Sequence, residues 1–402
     1  MRKRFDVFWR NSLNECSEVK RRAAQGVLGA AFFSTVGVGA FTFALSANAE
    51  SAGFSPAWLG LAFSGYFLAR LILAPLAGYA ADRIGSMPLL LAATGAGAII
   101  PIIYSIFPAN ETLGVIQICL GFCSGIVKPV SMSLLGECVS KKHRGRVFGA
   151  YNTCLYAAFV VGPLAGGLAT NIHGGIGLLT LLWPSMGMGL TFILFLRARI
   201  VSSASVTRAE KAKNGPPWHD LAFLALLFAV LGRTMGASVV TTFLPQLIND
   251  RFGLSGILAG VLFVLPNIVI ILGMPVTSQW ADIRDKTGLT FLGMGLCAAC
   301  LFGFGQSVPL WGFIGLSVTM GLGSALSLPA SMSLASNMGA AKGSIMGVFL
   351  GASNLGFVLG PSLAGFAADY GGIADAFELA ALFGGLFLLP TMLVMAKKSQ
   401  ES

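Results

Sequence analysis

The sequence predicts an all-α integral membrane protein with twelve transmembrane helices in two six-helix, pseudo-symmetric halves. Three observations predict it. The 402 residues are 55% hydrophobic and only 10% charged, against about 25% charged in a soluble protein. Twelve apolar runs occur, most of about 20 residues or more, and each can cross about 30 Å of hydrocarbon as a helix. They are apolar all round, whereas the helices of a soluble core are amphipathic. Finally, the chain repeats itself at a spacing of 200 residues.

The repeat is plain in the residues. Pro75-Leu-Ala-Gly78-Tyr-Ala-Ala-Asp82 aligns without a gap on Pro275-Val-Thr-Ser278-Gln-Trp-Ala-Asp282. Gly53 to Gly60 matches Gly253 to Gly260, and Pro129-Val-Ser131-Met-Ser-Leu134 matches Pro329-Ala-Ser331-Met-Ser-Leu334. With a slip of two, Gly149, Gly162 and Pro163 match Gly347, Gly360 and Pro361. Six spans per half is an even number, so the halves are parallel repeats about an axis normal to the membrane.

In order, the spans are placed near 23–47, 57–81, 87–107, 112–137, 147–171 and 175–196, then 220–247, 256–281, 288–306, 309–336, 343–368 and 373–396. Residues 1–22 and 397–402 are tails, 23–196 and 220–396 are the two bundles, and 197–219 is a polar, basic linker with a Gly-Pro-Pro. The net charge of +10 does not point to nucleic acid, because of where the charge sits. Of 26 Lys and Arg, 22 fall on one side, in the tails, alternate loops and the linker. That is the positive-inside bias, so both termini and the linker are expected to be cytoplasmic. The first apolar run is longer than a signal-peptide core and has a repeat mate, so it is read as a span. Between the charges of the N-terminal tail stand Phe5, Val7, Phe8 and Trp9, which fit an interfacial helix or a disordered tail equally.

No enzyme chemistry is visible. Cys297-Ala-Ala-Cys300 lies mid-span without a second pair, and His143, His173 and His219 fall in loops or at span ends, so no metal site and no cofactor are expected. Charges inside the membrane mark a site by default, since each costs a few kcal/mol or more. Arg70, Arg233 and Lys128 lie within spans, the first two near mid-membrane, while all sixteen acids fall in loops, tails or span ends. Cations without acid partners, facing a cleft between the halves, favour an anionic substrate.

Gly78-Tyr-Ala-Ala-Asp82-Arg83-Ile-Gly85 resembles the loop 2–3 signature of the major facilitator superfamily, although Ser86 and Met87 stand where that signature has a basic pair. Gly149 and the stretch Gly162-Pro163-Leu-Ala-Gly166-Gly167 resemble the fifth-span motif of its twelve-span drug/proton antiporter branch. The resemblance implies the major facilitator fold and alternating access. It implies that Asp82 meets the start of span 11 near Gly343-Ser344, that Arg83 pairs with Glu137, and that Asp282 meets the start of span 5. It implies that the span-5 glycines face the opposite half and seal the cleft; generic small-residue packing fits those glycines as well. The branch's span-4 arginine is replaced by Gln117, and span 1 carries no acid, so a mid-membrane proton carrier is missing.

The expected function is secondary transport of a small organic, anionic solute, leaning towards efflux or antiport. An uptake permease for a carboxylate, phosphate ester or siderophore is the alternative, and a non-transporting scaffold or sensor a further one. The candidate substrate residues are Arg70, Lys128, Arg233 and Gln117. Expected partners are the solute, protons or a counter-anion, and the lipid bilayer of a bacterial inner membrane. No nucleic acid is expected, and the protein is expected to be monomeric.

Overall fold

The computed structural model describes residues 18–106, 112–138, 144–173, 178–198, 220–283, 285–338 and 342–401. The expected linker therefore lies almost wholly outside the described residues, as does the N-terminal tail to residue 17. Twelve helices follow in order: α1 (Glu18–Ala47), α2 (Pro56–Ile84), α3 (Ser86–Ile106), α4 (Thr112–Cys138), α5 (Arg144–His173), α6 (Leu178–Ala198), α7 (Leu221–Phe252), α8 (Gly256–Ile283), α9 (Lys286–Gly305), α10 (Leu310–Ser336), α11 (Lys342–Gly371) and α12 (Ile373–Glu401). Helices are what a lipid-facing chain must form, because the hydrocarbon offers nothing else to bond the backbone. Among the described residues, nine are long and apolar enough to span a bilayer. Helix α1 begins five residues before the expected span and α12 runs five beyond, so both overrun the apolar layer.

The ends are set locally. Ser55 caps α2, its hydroxyl accepting from the Trp58 N–H at 3.2 Å, with Pro56 in the first turn. Asp285 caps α9, accepting from Thr287 and Gly288 at 3.0 and 2.8 Å. Between α2 and α3 the chain reverses at Gly85, whose φ of 95° is open only to glycine. The last residue of the loop signature is thus a conformational requirement.

Both halves pack in one pattern. In the first, α1 lies on α5 and α6, α2 on α4, and α3 on α4 and α6; in the second, α7 lies on α11 and α12, α8 on α10, and α9 on α10 and α12. Glycines at repeat-related places let backbones touch. Gly121 of α4 meets Tyr66 of α2, and Gly321 of α10 meets Pro266 and Val269 of α8. Gly162 and Gly166 of α5 meet Val36 and Ala40 of α1, and Gly356 and Gly360 of α11 meet Leu231, Met235 and Ser238 of α7. The expectation that the span-5 glycines face the opposite half is corrected for Gly162 and Gly166; among the described ones only Gly167 does so, against Gly256 and Ile257 of α8. A helix shows two faces, and residues 162 and 166 share the one turned to α1.

Among the described residues the halves meet towards one end. The face where α1 begins and α12 ends is called proximal, and the other distal. One buried cluster joins both halves through Phe43, Phe63, Phe243 and Phe263, all in the distal parts of their helices. Two further clusters lie proximally, one within each half. Along the seam between α2 and α11, Gly60 touches Pro361 and Gly365, Ser64 donates to the Val358 carbonyl at 2.6 Å, and Phe67 stacks on Phe357 at 4.8 Å. Further down, Pro75, Gly78 and Leu350 are exposed, and a methyl added at Gly78, Gly347 or Gly351 would meet nothing within 4 Å. The seam between α5 and α8 behaves alike, closed around Gly260 and Pro163 and exposed at Asn152 and Pro275. The cleft is therefore sealed distally and open proximally.

Gly166→Ala should lower the thermal midpoint of the detergent-solubilised protein, since its methyl falls on the Ala40 carbonyl and overpacking costs about 1–3 kcal/mol. Gly78→Ala, facing open space, should leave the midpoint unchanged or raise it slightly.

Candidate functional site

The cations gather at one depth. Counted from the proximal helix ends at about 1.5 Å per residue, Arg70 lies roughly 21 Å in, Arg233 roughly 18 Å and Lys128 roughly 15 Å. Arg70 and Lys128 come together. Helix α2 presents Arg70 where Gly125 of α4 lets the backbones close up, and Lys128 is one turn further along α4. The two charges repel each other, and Arg70 also acts on the Tyr151 hydroxyl of α5. That hydroxyl reaches the Lys128 carbonyl at 3.5 Å, and the Tyr66 hydroxyl donates to Ser124 at 3.1 Å just above. No acidic side chain pairs with Arg70, Lys128 or Arg233 among the described residues. Two cations and two phenols thus gather at the α2–α4–α5 corner of the first half.

Arg233 is placed differently. Rather than joining that pair, it lines a small cavity inside its own half, with Gly232, Met294, Cys297, Met320 and Ser324. Its one described link to the first half is electrostatic, to Tyr156 of α5. Gln117 is completely buried in α4, and neither end of its amide has a partner among the described residues. Its repeat mate Ser317 shares that state.

The loop signature is only partly described. The side chains of Asp82, Glu137 and Asp282 lie outside the described residues, as does that of Gly149. Arg83 is exposed and sits over the ring of Tyr79, 4.5 Å from its centroid. An equivalent of the expected aspartate latch appears instead on the distal face. Asp369, near the end of α11, accepts from the Ala57 N–H at the start of α2, 3.2 Å away. Free N–H groups at a helix start favour a carboxylate. By the repeat, Asn171 of α5 stands for Asp369, and it lies where a Cβ of Gly256 would be, at the start of α8. Gly256 has φ 58°, so both its backbone and its neighbour exclude a side chain.

Beside these latches, α1 and α7 cross at repeat-related positions. Ser46 donates to the Thr242 carbonyl, while the Gln246 amide oxygen, its repeat mate, is buried without a partner. The carboxyls of Glu50 and Asp250, again 200 residues apart, act on each other across the two halves. Arg251, the other charge acting on Asp250, is committed to the Gly305 and Gln306 carbonyls. Sequence reasoning missed Tyr151, Tyr156 and the whole distal clasp. The repeat alignment carried a signal for the clasp, since 50 and 250, and 171 and 369, are matched pairs.

A family model described as the Major Facilitator Superfamily matches residues 27–349, and again 226–401. The chain belongs to the Major Facilitator Superfamily. It is a multi-pass membrane transporter and not an enzyme. Among superfamily relatives, the MFS-type transporter MJ1560 of Methanocaldococcus jannaschii is 23% identical over 88% of this chain and 92% of its own length. The multidrug resistance protein MdtG of Proteus mirabilis is 26% identical over 78% of this chain and 80% of its own. Two solved superfamily folds superpose well. A bacterial homologue of the human lysosomal transporter Spinster, in an inward-facing and unoccupied conformation, gives a TM-score of 0.72 at 14% identity, covering 94% of this chain and 98% of that one. The nucleoside transporter NupG gives 0.68 at 14%, covering 94% and 99%.

Spin labels on Ser51→Cys and Ser255→Cys, both exposed beside the clasp, should report it by their separation. Gly256→Ala should lengthen the separation, because a left-handed alanine costs about 1–2 kcal/mol, or roughly 5- to 30-fold in the closed-to-open ratio. A bond between the Glu50 and Asp250 carboxyls needs one proton, since two carboxylates only accept. Opening would part the pair and release it, so closure should gain as pH falls towards the carboxylate range and weaken as pH rises. Glu50→Gln should keep the face closed across that range.

Proposed function

We propose that the chain moves a small organic anion by alternating access, binding it between the halves at Arg70 and Lys128, with export as the direction. The observation that carries this reading is the mid-depth pair of cations on α2 and α4, unmatched by any acid among the described residues. Two like charges held together in a low-dielectric span are costly, and an arriving carboxylate or phosphate offsets that cost while forming charge-assisted hydrogen bonds. The open proximal face is the cytoplasmic one, from the basic loops and tails on that side. Rocking the halves would break the Asp369 and Asn171 contacts distally and close the parted helix faces proximally, where Asp82 and Arg83 stand. Export is supported by the fifth-span Gly162-Pro163 stretch and by similarity to a multidrug resistance protein, MdtG.

Arg70→Gln and Lys128→Gln should each reduce transport of an organic acid in proteoliposomes by about 10- to 100-fold, the value of a hydrogen bond to a charged group, while the protein still inserts. Full activity in both variants would refute the anion site. Deleting the protein should raise the cellular content of the solute; a fall would reverse the direction.

A further inference from the structure

Arg233 poses a separate problem. Its Nε is sealed from solvent without a hydrogen-bond partner, and among the described residues its guanidinium makes no hydrogen bond or ion pair. Arginine cannot shed its charge in a protein, and on this half-buried side chain the sealed Nε–H and the missing counter-charge are both costly. The groups that act on it are the Cys297 thiol and the Tyr156 phenol. The cavity beside it lies between α7, α9, α10 and α12 and encloses about 20 Å³, enough for one species of water size or slightly more.

The cavity walls supply further donors. Ser324 meets the Cys297 sulfur at 3.5 Å, and that sulfur lies 3.7 Å from the Met320 carbonyl. Ser317, two turns earlier on the same face of α10, is fully buried with its hydroxyl unpartnered. Donors outnumber acceptors here. A water could bond the Nε hydrogen but would leave the charge uncompensated; an anion does both.

We propose that this cavity binds one small monovalent anion, free chloride or a carboxylate group of similar size, held by Arg233 and Ser324 inside the second half. It is distinct from the solute site at Arg70 and Lys128 and does not depend on that reading. The anion neutralises Arg233, the mid-depth cation of α7, and fixes the packing of α7 on α9 and α10. Occupancy shields the Cys297 thiol, because the sulfur lines the same space.

The test uses the purified full-length protein in a buffer whose only anion is a bulky sulfonate. Chloride, and separately acetate, is titrated while alkylation of Cys297 by a small neutral thiol reagent is followed by peptide mass spectrometry, alongside the thermal midpoint. A saturating anion should slow Cys297 alkylation about tenfold and raise the midpoint, as any ligand of the folded state does. Chloride acting alone would assign a free ion, and acetate acting alone the carboxylate of a larger acid. Ser324→Ala should raise the half-saturating concentration several-fold, and Arg233→Gln should abolish the response; if Arg233→Gln fails to fold, Ser324→Ala decides. Arg70→Gln should keep the response. Alkylation and midpoint indifferent to both anions, or a response lost in Arg70→Gln, would overturn the proposal.

Discussion

The structure depends on how closely backbone meets backbone at four helix ends on the distal face. Gly60 of α2 against Pro361 and Gly365 of α11, and Gly167 of α5 against Gly256 of α8, are contacts that a side chain would prevent. In lipid no hydrophobic drive brings helices together, because the tails are as apolar as leucine. What remains is close packing and hydrogen bonding, both short-ranged. Such contacts are made fully or lost. The seam is therefore tight for its distal part and parted for the rest, and the halves can pivot as bodies rather than deform.

Each half is rigid for a related reason. The pairs α1 with α5 and α7 with α11 use the same glycines, at Gly162 and Gly166 and at Gly356 and Gly360. Those contacts lie inside a half and do not break when the cleft changes shape. Gly167 and Gly365 are the neighbours that do cross it. A single residue step separates Gly166, which stays inside its half, from Gly167, which crosses the cleft, and only the direction of the face distinguishes them.

Symmetry of scaffold coexists with asymmetry of site. By the repeat, Arg70 corresponds to Ile270, Lys128 to Leu328 and Arg233 to Phe33. The first half thus holds a cation pair between α2 and α4, and the second holds one cation beside a cavity within its own bundle. The clasp is similarly uneven, with a carboxylate at Asp369 and an amide at Asn171 over the two helix starts. Duplication built the frame, and substitution at a few matched positions gave it a direction.

How much was legible follows from the range of each force. Composition, span length, the 200-residue repeat and the basic loops determined the twelve helices and their two halves, because the bilayer constrains every residue of a span in the same way. Arg70 and Lys128 were legible as candidates, since a charge in hydrocarbon needs a reason wherever it points. Which way a helix face turns depends on its neighbours, and a stripe of glycine looks the same whether it meets α1 or α8. Tertiary structure alone decided that Gly162 and Gly166 belong to the inside of a half, that Arg233 leaves the cleft, and that Glu50 and Asp250 meet. Those pairings join residues roughly 60 to 200 positions apart through contacts of a few ångströms, and one sequence carries no record of such distances.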